Sequence, residues 1–232
     1  MDISLIDFVK TSELFENIPP LLEALFEGIE FPWEILPKIK DYTLDLIKKG
    51  IPGYHKLSDG VLVGEDVTIY QNVVIEAPAI IGHGAVLRPG AFIRGSVIIS
   101  DGCVIGNSTE IKNAVLMERA AVPHYNYVGD SILGFRSHLG AGVICSNLKN
   151  DGKSVTVHGI NDYETNLRKF GAIIGDHANV GCGCILNPGC VIGQHTNVYP
   201  NLTLRGVIPP NSIVKSVLCT IPMDNEKQNK KP

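Results

Sequence analysis

A histidine between a proline and a tyrosine is the residue of this chain best suited to proton transfer. His124 stands in the run Pro-His-Tyr-Asn-Tyr at 123–127. An unperturbed histidine has a pKa of about 6.5, so it can take a proton from a reacting group near neutrality. A surface-loop histidine without a chemical role would have the same local sequence. We therefore treat His124 as a candidate general base whose orientation the fold must supply.

Three basic residues are candidates for binding an anion. Arg88 and Lys112 each directly follow an aliphatic residue at the same phase of a six-residue repeat, and Lys169 ends a polar stretch. Guanidinium and ammonium groups at neighbouring turns can together hold a phosphate. Solvated charges that merely keep the turns hydrated are the alternative interpretation, and the spacing leaves it open.

The cysteines and two other histidines do not have the spacing of a metal site. Cys182-Gly-Cys184 lacks the C-x-x-C pairing that is typical of zinc ligands. His177 and His195 are eighteen residues apart, which predicts side chains stacked at successive turns rather than ligands. We expect no metal, and we expect reduced core cysteines at the small inward positions of the repeat. These positions are Cys103, Cys184 and Cys190.

The elements that must position these residues follow from the repeat. Nine aliphatic residues stand six apart without interruption: Val63, Ile69, Ile75, Ile81, Leu87, Ile93, Ile99, Ile105 and Ile111. A small or β-branched side chain follows each of them four residues later, from Val67 to Val115. Period six is the signature of a hexapeptide β-helix, in which three hexads form one triangular coil. We therefore predict an all-β solenoid, a parallel β-helix of hexapeptide repeats.

The repeat is interrupted at two places. Sixteen residues separate Met117 from the next clear anchor, Leu133, which amounts to two hexads and four further residues. After Cys145 the rhythm resumes at Ile174, twenty-nine residues later, which predicts an excursion loop within 147–171. Insertions in a solenoid collect on one face and often form its binding site. We therefore predict a site near residues 112–170.

The segment before the repeat has a helical texture. Pro19-Pro20 opens a short apolar stretch, and Pro37 and Gly50 suit the first turn and the C-terminal stop of a helix at 37–49. Such short helices cannot bury their apolar faces alone, so we expect them to pack on the end of the β-helix as a cap that covers an exposed sheet edge. The predicted order is a helical cap, a linker, the β-helix and a C-terminal tail: 1–50, 51–61, 62–216 and 217–232.

Charge and hydropathy exclude several classes of partner. The net charge of -4 and the pI near 6.0 argue against a nucleic-acid or anionic-membrane surface. No apolar run approaches the length of a membrane-spanning helix, roughly 20 residues. The start of the chain lacks the basic region of a secretory signal. We expect a soluble, cytoplasmic protein.

Several runs outside the simple repeat resemble one family. They are Leu-Arg-Pro-Gly at 87–90, Ile-Gly-Asn-Ser-Thr-Glu-Ile-Lys-Asn at 105–113, Pro-His-Tyr-Asn-Tyr-Val-Gly-Asp-Ser at 123–131, Leu-Gly-Ala-Gly at 139–142, Ser-Asn-Leu-Lys-Asn-Asp-Gly at 146–152 and Leu-Arg-Lys-Phe-Gly-Ala-Ile-Ile-Gly-Asp at 167–176. With them, the segment from Leu87 to about Ser216 resembles the acetyltransferase half of the bifunctional N-acetylglucosamine-1-phosphate uridyltransferase/glucosamine-1-phosphate acetyltransferases. It is especially similar to their archaeal sugar-1-phosphate nucleotidylyltransferase relatives.

The resemblance implies a fold, an assembly and a set of roles. It implies a left-handed β-helix that forms a homotrimer with sites at subunit interfaces, and acetyl-CoA as co-substrate. His124 would be the general base that deprotonates the sugar amine. The residues matching those that hold the sugar phosphate are Arg88, Lys112, Tyr127 and Lys169. The residues matching those that line the acetyl-CoA site are Ala141, Asn147 and Cys182.

The chain departs from the family pattern at a few positions. His138 stands where the family commonly has an Asn that contacts substrate and thioester, and Cys182 stands where the bacterial enzymes have Ser. The family's C-terminal Arg near the CoA phosphates has no clear match, although Lys215 is close. Some sixty N-terminal residues cannot hold a nucleotide-binding α/β domain, so we predict no uridyltransferase activity.

Two functions are compatible with these observations. The first is an acyl-CoA-dependent N-acyltransferase that acts on an amino-sugar phosphate or on a nucleotide-linked amino sugar. The second is a non-catalytic trimeric module for sugar-phosphate binding or assembly, derived from a sugar nucleotidyltransferase. The departures at His138 and near Lys215 motivate the second.

Overall fold

A three-faced parallel β-solenoid forms the body of the protein. The structure, a computed structural model, describes residues 8–216 and, in backbone, 219–222. Each coil passes through three faces, and the strands on each face pair in parallel with those of the neighbouring coils. The hexapeptide-repeat β-helix predicted from the sequence is therefore confirmed.

The strands fall on three faces of the coil. Face one contains Val61–Val63, Ala79–Ile81, Val97–Ile99, the ends of the long strands Glu110–Leu116 and Tyr127–Leu133, Ala172–Ile174, Cys190–Ile192 and Val207–Ile208. Face two contains Thr68–Ile69, Val86–Leu87, Val104–Asn107, Ala121–His124, His138–Leu139, Asn179–Val180, Asn197–Val198 and Ser212–Ser216. Face three contains Val74–Ile75, Phe92–Ile93, the starts of the two long strands, Ile144–Cys145, Ile185–Leu186 and Thr203–Leu204. Antiparallel strands lie at the two ends: His55–Ser58 on Val61–Val63, and Cys219–Pro222 on Ser212–Ser216.

The repeat produces the core because each aliphatic anchor points into the coil. From Ile81 to Ile111 these anchors are fully buried, and they pack on the small side chains of the hexads. Cys103, Cys184 and Cys190 lie among them as free thiols, as predicted. In the first coil, Ile69 has 37% of its surface exposed and Ile75 is only partly buried. Stacked apolar layers thus hold the coils together along the axis.

An N-terminal cap covers the outer side of face one. It contains the helices Thr11–Leu14, Glu23–Phe26 and Ile39–Lys49 and the 3-10 helix Pro32–Ile35. The cap and the coil share one apolar cluster. The outward residues of face one in that cluster are Leu62, Ile80, Ile98, Val115, Ile132, Ile173 and Val191, all of them buried. The predicted N-terminal helices are present, but their predicted position is wrong. They pack along face one and not over the end of the β-helix, because the outward side chains of that face are apolar.

Asp176 fastens the beginning of the cap to the coil. Its carboxylate accepts hydrogen bonds from the backbone N–H groups of Glu16, at 2.8 Å, and Phe135, at 2.7 Å. Burial raises the pKa of Asp176 to about 6, because desolvation outweighs these two donors. His177 and His195 stack beside it, with ring centroids 4.7 Å apart. The stacked pair predicted from the eighteen-residue spacing is confirmed.

The predicted insertion after Met117 is wrong. Leu116 lies beside Ile99 in the parallel pairing, and Leu116 is the inward residue of that hexad. Met117 packs instead in the cluster under the cap. Leu116 therefore follows the inward residue Ile111 by five positions and not by the usual six. The coil is shortened by one residue, and nothing is inserted.

A tighter corner explains the shortening. In the preceding coil, the corner between faces three and one contains two residues with positive φ, Gly95 and Ser96. The next two coils have one each, Asn113 with φ 46° and Asp130 with φ 47°. Asn and Asp tolerate this left-handed conformation better than most residues. As a result, His124 lies on a regular corner of the coil.

The excursion leaves the coil between Cys145 and Ala172. The backbone N–H of Phe170 donates to the carbonyl of Asn147 at 3.0 Å, which closes its base. Inside it, the strands Thr156–His158 and Asp162–Glu164 form an antiparallel hairpin.

In the described part of the chain, no helix is long and apolar enough to cross a bilayer.

Candidate functional site

His124 lies at the corner where face two turns into face three. The carbonyl of His124 accepts a hydrogen bond from the N–H of Gly142 at 3.0 Å, and the carbonyl of Ala141 accepts one from Gly183 at 2.8 Å. His124, Ala141 and Cys182 therefore occupy the same corner position in three consecutive coils. Strand spacing puts successive members about 4.8 Å apart. We call this row of residues the histidine column.

A buried amide holds the histidine column from inside. Asn126 is 2% exposed and occupies the small inward position of its hexad. Its Oδ1 accepts the backbone N–H of His124 at 3.1 Å, and its Nδ2 donates to the carbonyl of Gly140 at 2.7 Å. The amide thus ties two successive coils together beside the candidate base, a role that was not predicted from the sequence.

Two groups on the histidine column are free to meet a ligand. Among residues 8–216, the imidazole of His124 has no hydrogen-bond or ion-pair partner, and His124 itself is exposed. The N–H of Gly140 donates to Val180 in the next coil and that of Gly142 donates to His124 in the preceding one, whereas the N–H of Ala141 donates to no described group. A potential proton acceptor therefore lies one strand spacing from an unused backbone donor.

A second cluster lies at the shortened corner between faces three and one. The Asp130 carboxyl, with 7% of its side chain exposed, accepts hydrogen bonds from Asn113 Nδ2 at 2.9 Å and Asn147 Nδ2 at 2.5 Å. Lys112 Nζ lies 3.7 Å from the same carboxyl. Asn147 Nδ2 also donates to the Tyr127 hydroxyl at 3.2 Å. Three of the sequence-predicted residues, Lys112, Tyr127 and Asn147, are therefore gathered around an aspartate that was not predicted.

Gly129 makes this close approach possible. A Cβ at Gly129 would lie 2.6 Å from the Tyr127 hydroxyl and 2.7 Å from Asn147 Nδ2. Burial raises the pKa of Tyr127, and the negative charge of Asp130 adds to the effect. The Tyr127 hydroxyl consequently keeps its proton at neutral pH and can donate it to a ligand.

The two clusters lie at the two ends of the face-three segment that begins at Tyr127. Tyr127 begins the face-three part of its strand, three residues after His124. The reach of extended chain puts these two residues within about 10 Å of each other. A ligand about the size of a sugar could therefore touch both the imidazole of His124 and the polar group around Asp130.

Arg88 and Lys215 lie on the same corner as His124 but farther along the axis. Arg88 is half-buried two coils before His124, and its guanidinium has no partner among the described residues. Lys215 is exposed in the strand Ser212–Ser216, several coils after His124. The structure does not bring either residue into the cluster around Asp130.

His138 and Lys169 lie outside both clusters. His138 is on the outer surface of face two, where its Nδ1 is 2.9 Å from Asn179 Oδ1. Lys169 is exposed, and its backbone bridges Leu148 at the base of the excursion. Within the described residues, no group of three or more His, Cys, Asp or Glu side chains could hold a metal ion.

We expect Asp130→Asn to lower the free energy of unfolding by about 1–3 kcal/mol, because an amide nitrogen would oppose the donors of Asn113 or Asn147. Asparagine tolerates the positive φ of this position, so backbone strain does not contribute. Urea unfolding measures the loss. Asp66→Asn is the matched control, since Asp66 has a φ of 57° and is exposed. Equal stability of the two variants would contradict the structural role of Asp130.

Sequence comparisons agree with the resemblance. The family model described as the GMPPB C-terminal domain matches residues 75–161. A bifunctional protein GlmU from Methanococcus aeolicus is 35% identical over 101 residues, which are 44% of this chain and 25% of that protein. A bifunctional sugar-1-phosphate nucleotidylyltransferase/acetyltransferase from Sulfurisphaera tokodaii is 36% identical over 93 residues, 40% of this chain and 23% of that protein. The matched segment thus spans about a quarter of these relatives.

Solved structures with a similar chain path have low sequence identity. A putative acetyltransferase from Bacillus cereus has a TM-score of 0.44 at 17% identity, covering 72% of this chain and 80% of that one. A perosamine N-acetyltransferase from Caulobacter crescentus, solved with CoA and GDP-perosamine, has a TM-score of 0.38 at 18% identity, covering 68% and 57%. Over part of its length, the chain is therefore similar in sequence to the GMPPB C-terminal domain and to bifunctional proteins named for nucleotidylyl and acetyl transfer.

Proposed function

We propose that the protein is an acyl-CoA-dependent N-acyltransferase that acts on an amino-sugar phosphate, or on a nucleotide-linked amino sugar. One observation carries the proposal: a partner-free imidazole at His124 lies within reach of the polar cluster that contains Lys112, Tyr127 and Asn147. The relative named as a sugar-1-phosphate nucleotidylyltransferase/acetyltransferase supports the same class of substrate. Glucosamine-1-phosphate is the acceptor with which we would begin.

Binding of the acceptor divides between the two clusters. Lys112 supplies a positive charge, and the Tyr127 hydroxyl supplies a donor, toward a phosphate or a sugar hydroxyl. Asp130 accepts hydrogen bonds from Asn113 and Asn147. It therefore orients these two side chains and need not contact the sugar. The amine of the sugar would then point toward His124.

The chemistry requires one proton acceptor and one oxyanion donor. Acetyl-CoA supplies the acyl group as a thioester, whose C–S bond breaks as the new C–N bond forms and the thiol is released. His124 takes the proton from the amine as the amine nitrogen attacks the carbonyl carbon, and the imidazolium then gives this proton to the departing thiolate. The unused N–H of Ala141, one coil above, donates to the oxygen as negative charge develops there. Cys182 would border the same path in the next coil.

We also propose that the active assembly is a cytoplasmic homotrimer. The cap closes face one, which leaves faces two and three for contact with other copies. Exposed aromatic residues follow the corner between those faces: Tyr70, Tyr125 and Tyr199. Val74 and Ile185, on face three, are also exposed. Apolar residues arranged along one edge are typical of a surface that pairs with another molecule, and Arg88 or Lys215 of a neighbouring copy could then complete the site.

A thiol-release assay tests the proposed reaction. Wild-type protein is incubated with acetyl-CoA and a panel of amino sugars, including glucosamine-1-phosphate, and free thiol is measured together with N-acetylated product. We expect thiol and amide to appear in equal amounts with at least one acceptor. Calorimetry on the same panel tests the alternative function. If the protein binds a sugar phosphate but releases thiol with no acceptor, it is a non-catalytic binding module and not an enzyme.

A further inference from the structure

A cavity lined by Lys149 and Arg205 lies under the excursion, away from the histidine column. It has a volume of about 410 Å³ between the excursion hairpin and the coil. The polar side chains that line it include Ser146, Lys149, Thr156, His158, Asn187 and Arg205. Ser146, Asn187 and Arg205 are stacked residues of successive coils, directly after the paired positions Cys145, Leu186 and Leu204. The floor of the cavity is therefore part of the rigid solenoid.

Arg205 is held in place without being neutralised. Its NH2 group is 2.8 Å from His158 Nε2, and His158 Nδ1 is 2.8 Å from Asp162 Oδ1. With Asp162 accepting the Nδ1 proton, His158 Nε2 accepts a hydrogen bond from the guanidinium. Among residues 8–216, Arg205 forms no ion pair. One edge of the guanidinium is fixed, and its remaining donors are available to a ligand.

The other charged groups at the cavity are already engaged with each other. Lys149 Nζ lies 3.5 Å from Asp151 and donates to the carbonyl of Ser154 at 3.3 Å. The backbone N–H of Lys153 donates to Asp151, which is the main cause of the lowered pKa of that carboxyl. The negative charge of Asp151 is thus partly compensated, and Arg205 is the cation without an acidic partner.

We propose that this cavity binds a phosphate ester through Arg205, with Lys149 as a second cation. A guanidinium with a fixed orientation suits the paired oxygens of a phosphate. The side chains of Ser146 and Asn187 can donate to its other oxygens. The binding site itself does not depend on the proposed function, but the identity of the ester does.

The position of the cavity admits two sources for the phosphate. Arg205 follows Lys112 along one column, with Gly129, Ser146 and Asn187 between them. Four strand spacings amount to about 19 Å. An extended co-substrate could therefore reach from the candidate site to Arg205 with a terminal phosphate, and a separate sugar phosphate could occupy the cavity alone.

Calorimetric titration of the full chain distinguishes these cases. The probes are CoA, CoA without its 3′-phosphate, glucosamine-1-phosphate and inorganic phosphate. We expect Arg205→Gln to weaken binding of at least one phosphate probe by tenfold or more. If the variant weakens only CoA that carries the 3′-phosphate, the source is the co-substrate; if it weakens glucosamine-1-phosphate, the source is a sugar phosphate.

Two further variants control for folding and for net charge. Arg136→Gln removes one exposed arginine from another corner, where its guanidinium lies 5.2 Å from the Phe135 ring, and should leave every affinity unchanged. Arg205→Lys keeps the positive charge but loses the paired N–H donors of the guanidinium. Its affinity for the phosphate probe should fall between those of wild type and Arg205→Gln. The proposal is overturned if wild type binds no probe, or if wild type and both Arg205 variants bind all probes equally.

The outcome is separable from that of the proposed function. His124→Ala should retain the Arg205-dependent binding, because His124 does not line the cavity. If thiol release is absent while Arg205→Gln still weakens a phosphate probe, the acyltransferase proposal fails and the phosphate site stands.

Discussion

Replacing His124 by alanine is expected to lower kcat for thiol release by about 10²–10⁴-fold, the usual contribution of a positioned general base. The fold should persist, because the structural contacts of His124 use its backbone: its N–H binds Asn126, and its carbonyl binds Gly142. KM for the acceptor should change much less than kcat, since Lys112 and Tyr127 remain. Initial rates at several acceptor concentrations separate the two constants.

A matched histidine supplies the control. His55 lies exposed in the strand His55–Ser58, outside both clusters, so His55→Ala should keep the wild-type rate. If His124→Ala and wild type release thiol equally fast, His124 is not the base. The amine would then have to lose its proton to another group or to water.

Gly106→Ala is expected to lower the free energy of unfolding by about 3 kcal/mol or more, beyond the usual cost of an added methyl group in a packed interior. Gly106 lies one coil below Pro123, and a Cβ there would overlap the carbonyl group of Pro123. Because backbone cannot rotate away as a flexible side chain can, two successive coils would have to separate. Denaturant unfolding measures the loss.

The same substitution at an open glycine isolates the steric effect. Gly84 has a φ of 63°, and a methyl group added there would meet nothing within 4 Å, so Gly84→Ala carries only backbone strain, about 1 kcal/mol. If Gly106→Ala fails to accumulate in folded form while Gly84→Ala does, the ranking already holds. Equal stabilities would mean that the coils are not packed as closely at Pro123 as the structure has them.

The six-residue period predicts most of the fold because it reports which side chains point inward. The inward anchors from Ile81 to Ile111 follow it throughout. The six-residue period could not reveal the shortened corners, because a pattern of hydrophobic residues does not show how many residues each corner contains. The period therefore places Met117 on the inside, whereas Leu116 occupies that place. The left-handed conformation of Asn113 and Asp130 is the physical reason for the difference.

The site was only partly predictable for the same reason. Asn113, Asp130 and Asn147 are spaced seventeen residues apart, which is the length of a shortened coil, so they stack and hydrogen-bond. Asn107, His124 and Ala141 have the same spacing. A search for polar residues at that interval would have found Asp130, but the interval itself is known only once the corners are known. The amide of Asn126 gave no such signal, because a polar residue at an inward position looks like a break in the repeat.

Among residues 8–216, one cysteine is accessible to thiol-reactive labels. Cys182 is exposed, whereas Cys103, Cys145, Cys184 and Cys190 are buried. Burial raises the pKa of both Cys103 and Cys145 to about 12, so these thiols resist alkylation at neutral pH. Because Cys182 lies one coil above Ala141, a fluorophore or spin label attached there would stand beside the proposed reaction path. It would sense directly whether a ligand or a neighbouring copy covers that corner.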